Sequence, residues 1–246
     1  MFNQLQQTLL SSKSTVVFTG AGVSTLSGIR DFRGQGGFYT SDYHGFEVEE
    51  LLSLPLFYRD PSHFYRWAGE FIYVLDDFEP SIVHTTLAAM EHKGLISALY
   101  TQNIDLLHQK GGSKDVYEIH GSPANHTCPS CAKHYSYGEV APLVQQGQVP
   151  TCSCGAVIKP DIVFYGESLN QNLLLQAEKD FAQADVALVL GSSLTVQPAA
   201  SLPLSTVYNK GKLIIVNAQP TPLDSHAFLV FRDLKSVFVE LQQMVV

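Results

Sequence analysis

The apolar positions of this chain fall into short β-branched runs, separated by longer segments in which they recur every three or four residues. Val16-Val17-Phe18, Leu99-Tyr100-Thr101, Val116-Tyr117-Glu118-Ile119, residues 186–190 and residues 213–216 are runs of the first kind. Bounded by turn residues, they read as buried strands. Ile162-Val163-Phe164 reads as a short extended piece, and 226–231 as a last strand. Leu5, Leu9 and Leu10 stand at helical spacing and predict a helix over 3–12. Helices are also expected at 47–52, from the Asp60-Pro61 cap onward, over 81–93 with Gly94 closing it, and over 233–243. The aromatic residues of 61–75 predict core. Apolar strands that alternate with helical segments imply an α/β fold, a parallel sheet covered on both faces.

The polar and glycine groups recur just past the C-terminal ends of the strands, where open α/β sheets place their ligands. Gly20, Gly22, Asn103, Asp105, His120, Gly191, Ser192 and Asn217 are therefore expected to face one crevice. The stretch Thr15 to Gly34 is the most informative. Its strand runs into Gly20-Ala21-Gly22, glycines that allow a tight turn and the close approach of a phosphate. Ser24, Thr25 and Ser27 then offer hydroxyls to cap a short helix, whose free N–H groups attract anions. The third glycine of the dehydrogenase fingerprint is absent, Thr25 standing in its place, and no second strand follows the loop. Hydride transfer is disfavoured on both counts. The continuation Asp31-Phe32-Arg33-Gly34 sets an acid, an aromatic and a cation in a glycine-rich loop.

With 45% hydrophobic and 15% charged residues over 246 positions, the chain can bury a full core as one large domain or a domain with an insert. Its net charge of −8 argues against nucleic acid as a main partner, because phosphate binding needs clustered Lys and Arg. No apolar run reaches the ~18–20 residues of a membrane span, so no membrane partner is expected. The N-terminal residues lack a secretory pattern, and a cytoplasmic location is the expectation. All four cysteines lie in residues 122–158, as Cys128-x-x-Cys131 and Cys152-x-Cys154. Two close pairs at this separation are the layout of a tetrahedral structural zinc site, although the second pair is one residue tighter than usual. Disulfides and free thiols are the alternatives, and His126 and His134 are near enough in sequence to compete as ligands.

Taken together, GAGVSTLSGIRDFRG, TQNID, His120-Gly121, the cysteine segment, Gly191-Ser192-Ser193 and VNAQPTP resemble a sirtuin of bacterial type, an NAD-dependent protein lysine deacetylase. The resemblance runs over roughly residues 10–240. It implies a doubly wound parallel-sheet NAD-binding domain, residues 1–121 and 159–246 with a helical insert at about 35–80, and a small zinc-ribbon module inserted at 122–158. NAD is implied as co-substrate, Zn2+ as a structural ion held by Cys128, Cys131, Cys152 and Cys154, and acyl-lysine peptides as partners.

Residue by residue, the resemblance assigns Gly20, Ala21 and Gly22 to the pyrophosphate. Asp31, Phe32 and Arg33 fall in the loop over the cofactor. Ser24, Gln102, Asn103, Ile104 and Asp105 are implied in the nicotinamide pocket, with Asn103 also catalytic. Gly191, Ser192, Ser193 and Asn217 are assigned to the ribose and adenine half, with Asp233 and Leu234 in an adenine-side loop. His120 is the implied general base, suited to the task because an unperturbed histidine titrates near ~6.5. Val163, Phe164, Tyr165 and Gly166 match the strip on which a peptide lies as an added strand. The products implied are nicotinamide, free lysine and O-acyl-ADP-ribose.

The family usually has proline where this chain has Arg30. Sirtuins that remove carboxylate-bearing acyl groups carry a tyrosine and an arginine at places that fall on Ala68 and Phe71 here, so uncharged acyl groups are expected. Protein ADP-ribosyltransfer from the same pocket, and a non-enzymatic NAD-sensing module, are the alternative functions. The sensing module would be marked by loss of His120 or Asn103, and both are present.

Overall fold

The structure, a computed structural model, describes residues 1–34, 36–40 and 42–245. Helix α1 (Phe2–Ser11) feeds strand β1 (Thr15–Thr19). After the glycine loop come α2 (Val48–Leu51), α3 (Leu54–Arg59), α4 (Pro61–Phe71), α5 (Ile82–His92), β2 (Ala98–Thr101), α6 (Leu107–Lys110) and β3 (Val116–Glu118). The chain then makes β4 (Gly121–Thr127), β5 (His134–Ser136), α7 (Tyr137–Gln145) and β6 (Lys159–Ile162). It closes with α8 (Gln171–Gln183), β7 (Val186–Leu190), α9 (Leu202–Tyr208), β8 (Lys212–Val216), β9 (Leu229–Phe231) and α10 (Leu234–Gln242).

Six strands form one sheet in the order β3-β2-β1-β7-β8-β9, with parallel pairing between neighbours. This is the doubly wound order, and it reverses between β1 and β7, where such sheets open their ligand crevice. The runs of β1, β2 and β7 are buried on both faces because helices cover both, whereas β3, at the sheet edge, is only half-buried. Val17, Leu99, Leu188 and Ile214 pack in one apolar cluster with α1, α5 and α10. Their sequence neighbours Val16, Ala98, Ala187 and Leu213 pack in another with Phe181 and Leu202.

A second sheet, β5-β4-β6, is antiparallel. Its core is continuous with that of the helices before it. Cys128, Val140, Val144 and Ile158 pack in one cluster with Phe57, Phe64, Trp67 and Tyr73. The aromatic density of 61–75 is thus the core of a unit built from two separate stretches of chain.

Local signals explain the helix starts. Asp60 caps α4 by accepting from the Ser62 N–H at 3.0 Å, and Pro61 fills the first turn. Ser81 caps α5 in a capping box whose second partner is His84. Gly94 follows α5 with a φ of +72°, as a closing glycine should.

Some elements differ from their expected bounds. The last strand spans only Leu229–Phe231, where 226–231 is expected. The extended piece expected at 162–164 is displaced: β6 ends at Ile162, and beyond it Tyr165 bridges to Ser53. Helices α3, α7, α8 and α9 are not among the elements expected from the sequence. Among the described residues, no helix is long and apolar enough to cross a membrane.

Candidate active site

Strands β1 and β7 end side by side, Thr19 opposite Leu190, and the chain leaves them through Gly20 and Gly191. The two loops then touch main chain to main chain. The Gly20 N–H donates to the Leu190 carbonyl at 3.0 Å, and the Gly22 N–H to the Gly191 carbonyl at 2.8 Å. A Cβ on Gly22 would stand 2.7 Å from the Gly191 Cα. One on Gly191, whose φ is +59°, would stand 2.5 Å from the Val23 nitrogen. The contact between loops therefore demands these glycines, whatever else approaches them.

The segment after Gly20 is a short 3₁₀ helix, Ala21–Ser27, with no side-chain cap. The hydroxyls expected to cap it are used otherwise. Thr25 Oγ1 donates to the Gly22 carbonyl, Ser24 Oγ donates to the Asp105 carboxylate, and Ser27 Oγ is buried without a partner. The 3₁₀ geometry puts Ser24 beneath the loop, facing the end of β2.

That end carries Asn103. Its Nδ2 donates to the Gly20 carbonyl at 3.1 Å and to Ser24 Oγ at 3.0 Å. An amide nitrogen only donates, so the Ser24 proton is directed to Asp105. Asp105 Oδ1 accepts from the Leu107 N–H at 3.0 Å. Behind the amide, Thr19 Oγ1 lies 2.8 Å from Thr101 Oγ1 and 2.9 Å from His108 Nε2, and Thr101 Oγ1 accepts the Asn103 N–H at 3.0 Å. These groups are buried. Their orientation is fixed within the fold, as a preorganised polar site requires.

His120 follows β3. Its Nδ1 lies 2.9 Å from the Gln102 carbonyl oxygen, which can only accept. Nδ1 therefore carries the proton, and Nε2 keeps its lone pair. Burial holds the His120 pKa below the ordinary histidine value, opposed by the bond to Gln102. The neutral, Nε2-basic form is the one present at neutral pH.

The crevice is a cavity of about 900 Å³, at the upper end of the ~300–1,000 Å³ range of small-molecule sites. It brings together residues 20–22, 31–33, 102–104, His120, 163–166, 191–193, Asn217, Asp233 and Leu234. Ser24 and Asp105 do not line it. They are 2% and 7% exposed and lie behind Asn103, so they reach the cavity only through that amide. Ala68 and Phe71 are away from the cavity wall. Ala68 is buried in the aromatic core, and Phe71 packs edge-on against Phe38 with ring centroids 4.9 Å apart. Neither position offers a cation to pair with a carboxylate-bearing acyl group.

Sequence reading missed Leu26, Tyr39, Val196, Gln197, Arg232 and Lys235, all on the wall. Only Arg232 and Lys235 had a signal, their place beside Asp233 and Leu234. Tyr39 meets Tyr165 hydroxyl to hydroxyl at 2.6 Å, joining the loop after Asp31 to the strip at 163–166. Arg30 also has a role in that loop. Its Nε and Nη2 both donate to the Gly36 carbonyl, at 3.0 and 2.7 Å, and its guanidinium lies over the Phe38 ring.

Away from the cavity, the four cysteine sulfurs lie within 4.8 Å of one another, with Cys128–Cys154 and Cys131–Cys152 both at 3.5 Å. A tetrahedron with Zn–S bonds of ~2.3 Å has S···S edges of about 3.8 Å, so the group fits zinc. Four thiolates would close the coordination sphere. His126 and His134 are engaged elsewhere: His126 Nε2 meets the Tyr73 hydroxyl at 2.7 Å, and His134 Nδ1 meets Thr127 Oγ1 at 3.1 Å.

The Sir2 family model matches residues 20–198. The chain belongs to the Sir2 family. This Sir2 chain is 45% identical over 224 residues to the NAD-dependent protein deacetylase of Thermotoga maritima, covering 91% of this chain and 89% of that one. It is 39% identical over 237 residues to the NAD-dependent protein deacetylase of Sulfolobus acidocaldarius, covering 96% and 91%. A solved Sir2 structure with deacetylated p53 peptide and 3'-O-acetyl ADP-ribose superimposes with a TM-score of 0.90 at 42% identity, over 99% of this chain and 96% of that one. A Sir2 bound to a propionylated peptide gives a TM-score of 0.86 at 39% identity, over 99% and 96%.

Proposed function

We propose that this chain is an NAD-dependent protein lysine deacetylase. It would convert acyl-lysine, NAD and water into free lysine, nicotinamide and O-acyl-ADP-ribose. The observation that carries the reading is His120, held by Gln102 with its basic Nε2 free, in the same cavity as the buried Asn103 amide. When bound, NAD supplies a ribosyl carbon whose leaving group is nicotinamide and a ribose hydroxyl that accepts the acyl group.

The chain's own groups have separable tasks. The glycine loop and residues 191–193 offer main chain at the doubly wound switch point, where a pyrophosphate and ribose would sit. Phe32 and Arg33 wall the cavity from the loop side. Asn103 presents its side chain to the nicotinamide end. Ser24 and Asp105 orient it from behind. His120 accepts, at Nε2, the proton of the attacking ribose hydroxyl, a share of catalysis typically worth ~10²–10⁴-fold. Zinc, held by Cys128, Cys131, Cys152 and Cys154, is structural, since four thiolates leave no open position for water.

The acyl-lysine peptide would lie along residues 163–166 and beyond. Tyr165 already gives its N–H to the Leu52 carbonyl at 2.7 Å and its carbonyl to the Leu54 N–H at 3.0 Å. A peptide strand must therefore use neighbouring main-chain groups rather than those of Tyr165. Residues 1–121 and 159–246 would carry the cofactor, with 122–158 and the insert at about 35–80 forming the smaller lobe.

Incubation with NAD and an acetyl-lysine peptide tests this. Nicotinamide, deacetylated peptide and acetyl-ADP-ribose should appear in equal amounts by mass spectrometry. ADP-ribosylated protein with no deacetylated peptide would replace the reading by ADP-ribosyltransfer.

A further inference from the structure

Lys159 and Glu167 lie at the two ends of the segment that forms the peptide-facing wall, and their side chains close on each other. Lys159 is the first residue of β6, and its side chain is only 11% exposed. Its ammonium donates to the Ile162 carbonyl at 2.9 Å, the Pro160 carbonyl at 3.1 Å and Glu167 Oε2 at 2.9 Å. It also lies 4.3 Å from the centre of the Phe164 ring. All three N–H donors of the ammonium are thus used. Glu167 Oε2 in turn accepts from the Phe164 N–H at 2.7 Å, while the Glu167 N–H donates to the Phe164 carbonyl at 2.9 Å.

A half-buried ion pair is a weak device for stability, because desolvating the two charges offsets most of their attraction. Fixing a conformation is a better-supported use, and here each charge holds main chain. The ammonium collects two carbonyls from the start of the segment. The carboxylate holds the N–H at its middle. Residues 162–167, all on the cavity wall, are thereby locked into one shape. The register of β6 with β4 places Lys159 opposite Thr127, the residue before Cys128. The clamp is therefore anchored next to the four-cysteine site.

We propose that Lys159 and Glu167 are positioning residues for the acyl-lysine peptide: they hold the wall segment 162–167 in the shape that receives it, without contributing to NAD binding. This rests on the deacetylase reading above. A correctly formed wall needs no reordering when the peptide arrives, so the pair acts on peptide affinity by preorganisation.

The test compares Lys159→Met, Glu167→Met and Glu167→Gln with wild type. Steady-state deacetylation gives KM for peptide and for NAD separately, and fluorescence anisotropy gives peptide Kd. Melting temperature and zinc content identify the folded fraction. Lys159→Met and Glu167→Met should raise peptide KM and Kd about tenfold, a loss of ~1.4 kcal/mol, with NAD KM within twofold of wild type. Glu167→Gln keeps an oxygen for the Phe164 N–H and the ammonium, and should recover most of the affinity. Peptide Kd unchanged in the folded Met variants would overturn the proposal, as would equal losses for peptide and NAD. Should a Met variant not fold, Glu167→Gln against Glu167→Ala, read by peptide Kd on folded protein, decides in the same way. Absence of deacetylation in wild type would instead defeat the functional reading, and anisotropy would still report the clamp.

Discussion

His120 and Gln102 are joined by one hydrogen bond, imidazole Nδ1 to main-chain carbonyl, at 2.9 Å. The bond selects the tautomer with a basic Nε2, and burial keeps the ring neutral by lowering its pKa. Nε2 is lost as a base only when pH falls through this depressed value. The acid limb of kcat/KM should therefore have its midpoint below the 6.5 of an ordinary histidine. A pH–rate profile checks this, and a midpoint at or above 6.5 contradicts it.

The proposed role of His120 rests on Nε2, and its backbone carbonyl, which accepts the Val163 N–H at 2.7 Å, is kept by alanine, so His120→Ala should fold and still bind NAD and acetyl-lysine peptide. Deacetylation should fall by ~10²–10⁴-fold. Asn103→Ala should damage nicotinamide exchange more than His120→Ala does, since its amide is the group proposed for the nicotinamide end. Isotope exchange of nicotinamide separates the two, and equal exchange in both variants would remove the division of labour.

Cys128→Ser takes one thiolate from a four-sulfur site, two of whose cysteines, Cys128 and Cys152, sit in the core shared with Phe57 and Trp67. Metal binding and folding are coupled in such sites. The variant should release zinc and melt at lower temperature, with activity falling in step with the unfolded fraction. A folded, metal-free protein of normal activity would show that the site is not structural.

His84 and His108 stack edge to face, with centroids 4.8 Å apart, and both are buried. Desolvation lowers both pKa values, that of His108 to about 3. Below pH 6.5 the unfolded chain binds protons that the folded chain refuses, so stability falls as pH drops from 6.5 towards the folded values. Near pH 5, His108 alone should cost about 2 kcal/mol. Chemical denaturation across this range should show the loss, and His108→Gln should flatten it.

Gly22→Ala should separate the two cofactor-side loops, since its Cβ would stand 2.7 Å from the Gly191 Cα. A loss of ~1–3 kcal/mol is the usual size of such overpacking, and NAD affinity should fall with it. Calorimetric melting together with NAD titration measures both.

Residues 16–18, 186–190 and 213–216 declared the sheet through their composition alone, because a strand buried on both faces must be apolar throughout. The glycines after β1 and β7 and the four clustered cysteines were equally legible, since each answers a local demand: backbone room or metal ligation. What the sequence left open were relations between distant positions. Ser24 and Asp105 could be named, but not that they lie behind Asn103, because only the fold brings the 3₁₀ turn under the end of β2. Tyr39 and Tyr165 are 126 residues apart and share no pattern, yet their hydroxyls meet on the cavity wall. Lys159 reads as an ordinary charged residue. Its burial is decided by the return of Glu167 over it, eight positions on, in a turn with no regular period. Periodicity and turn chemistry act between neighbours in sequence, whereas the partner of a polar side chain is set by which strands the topology puts side by side.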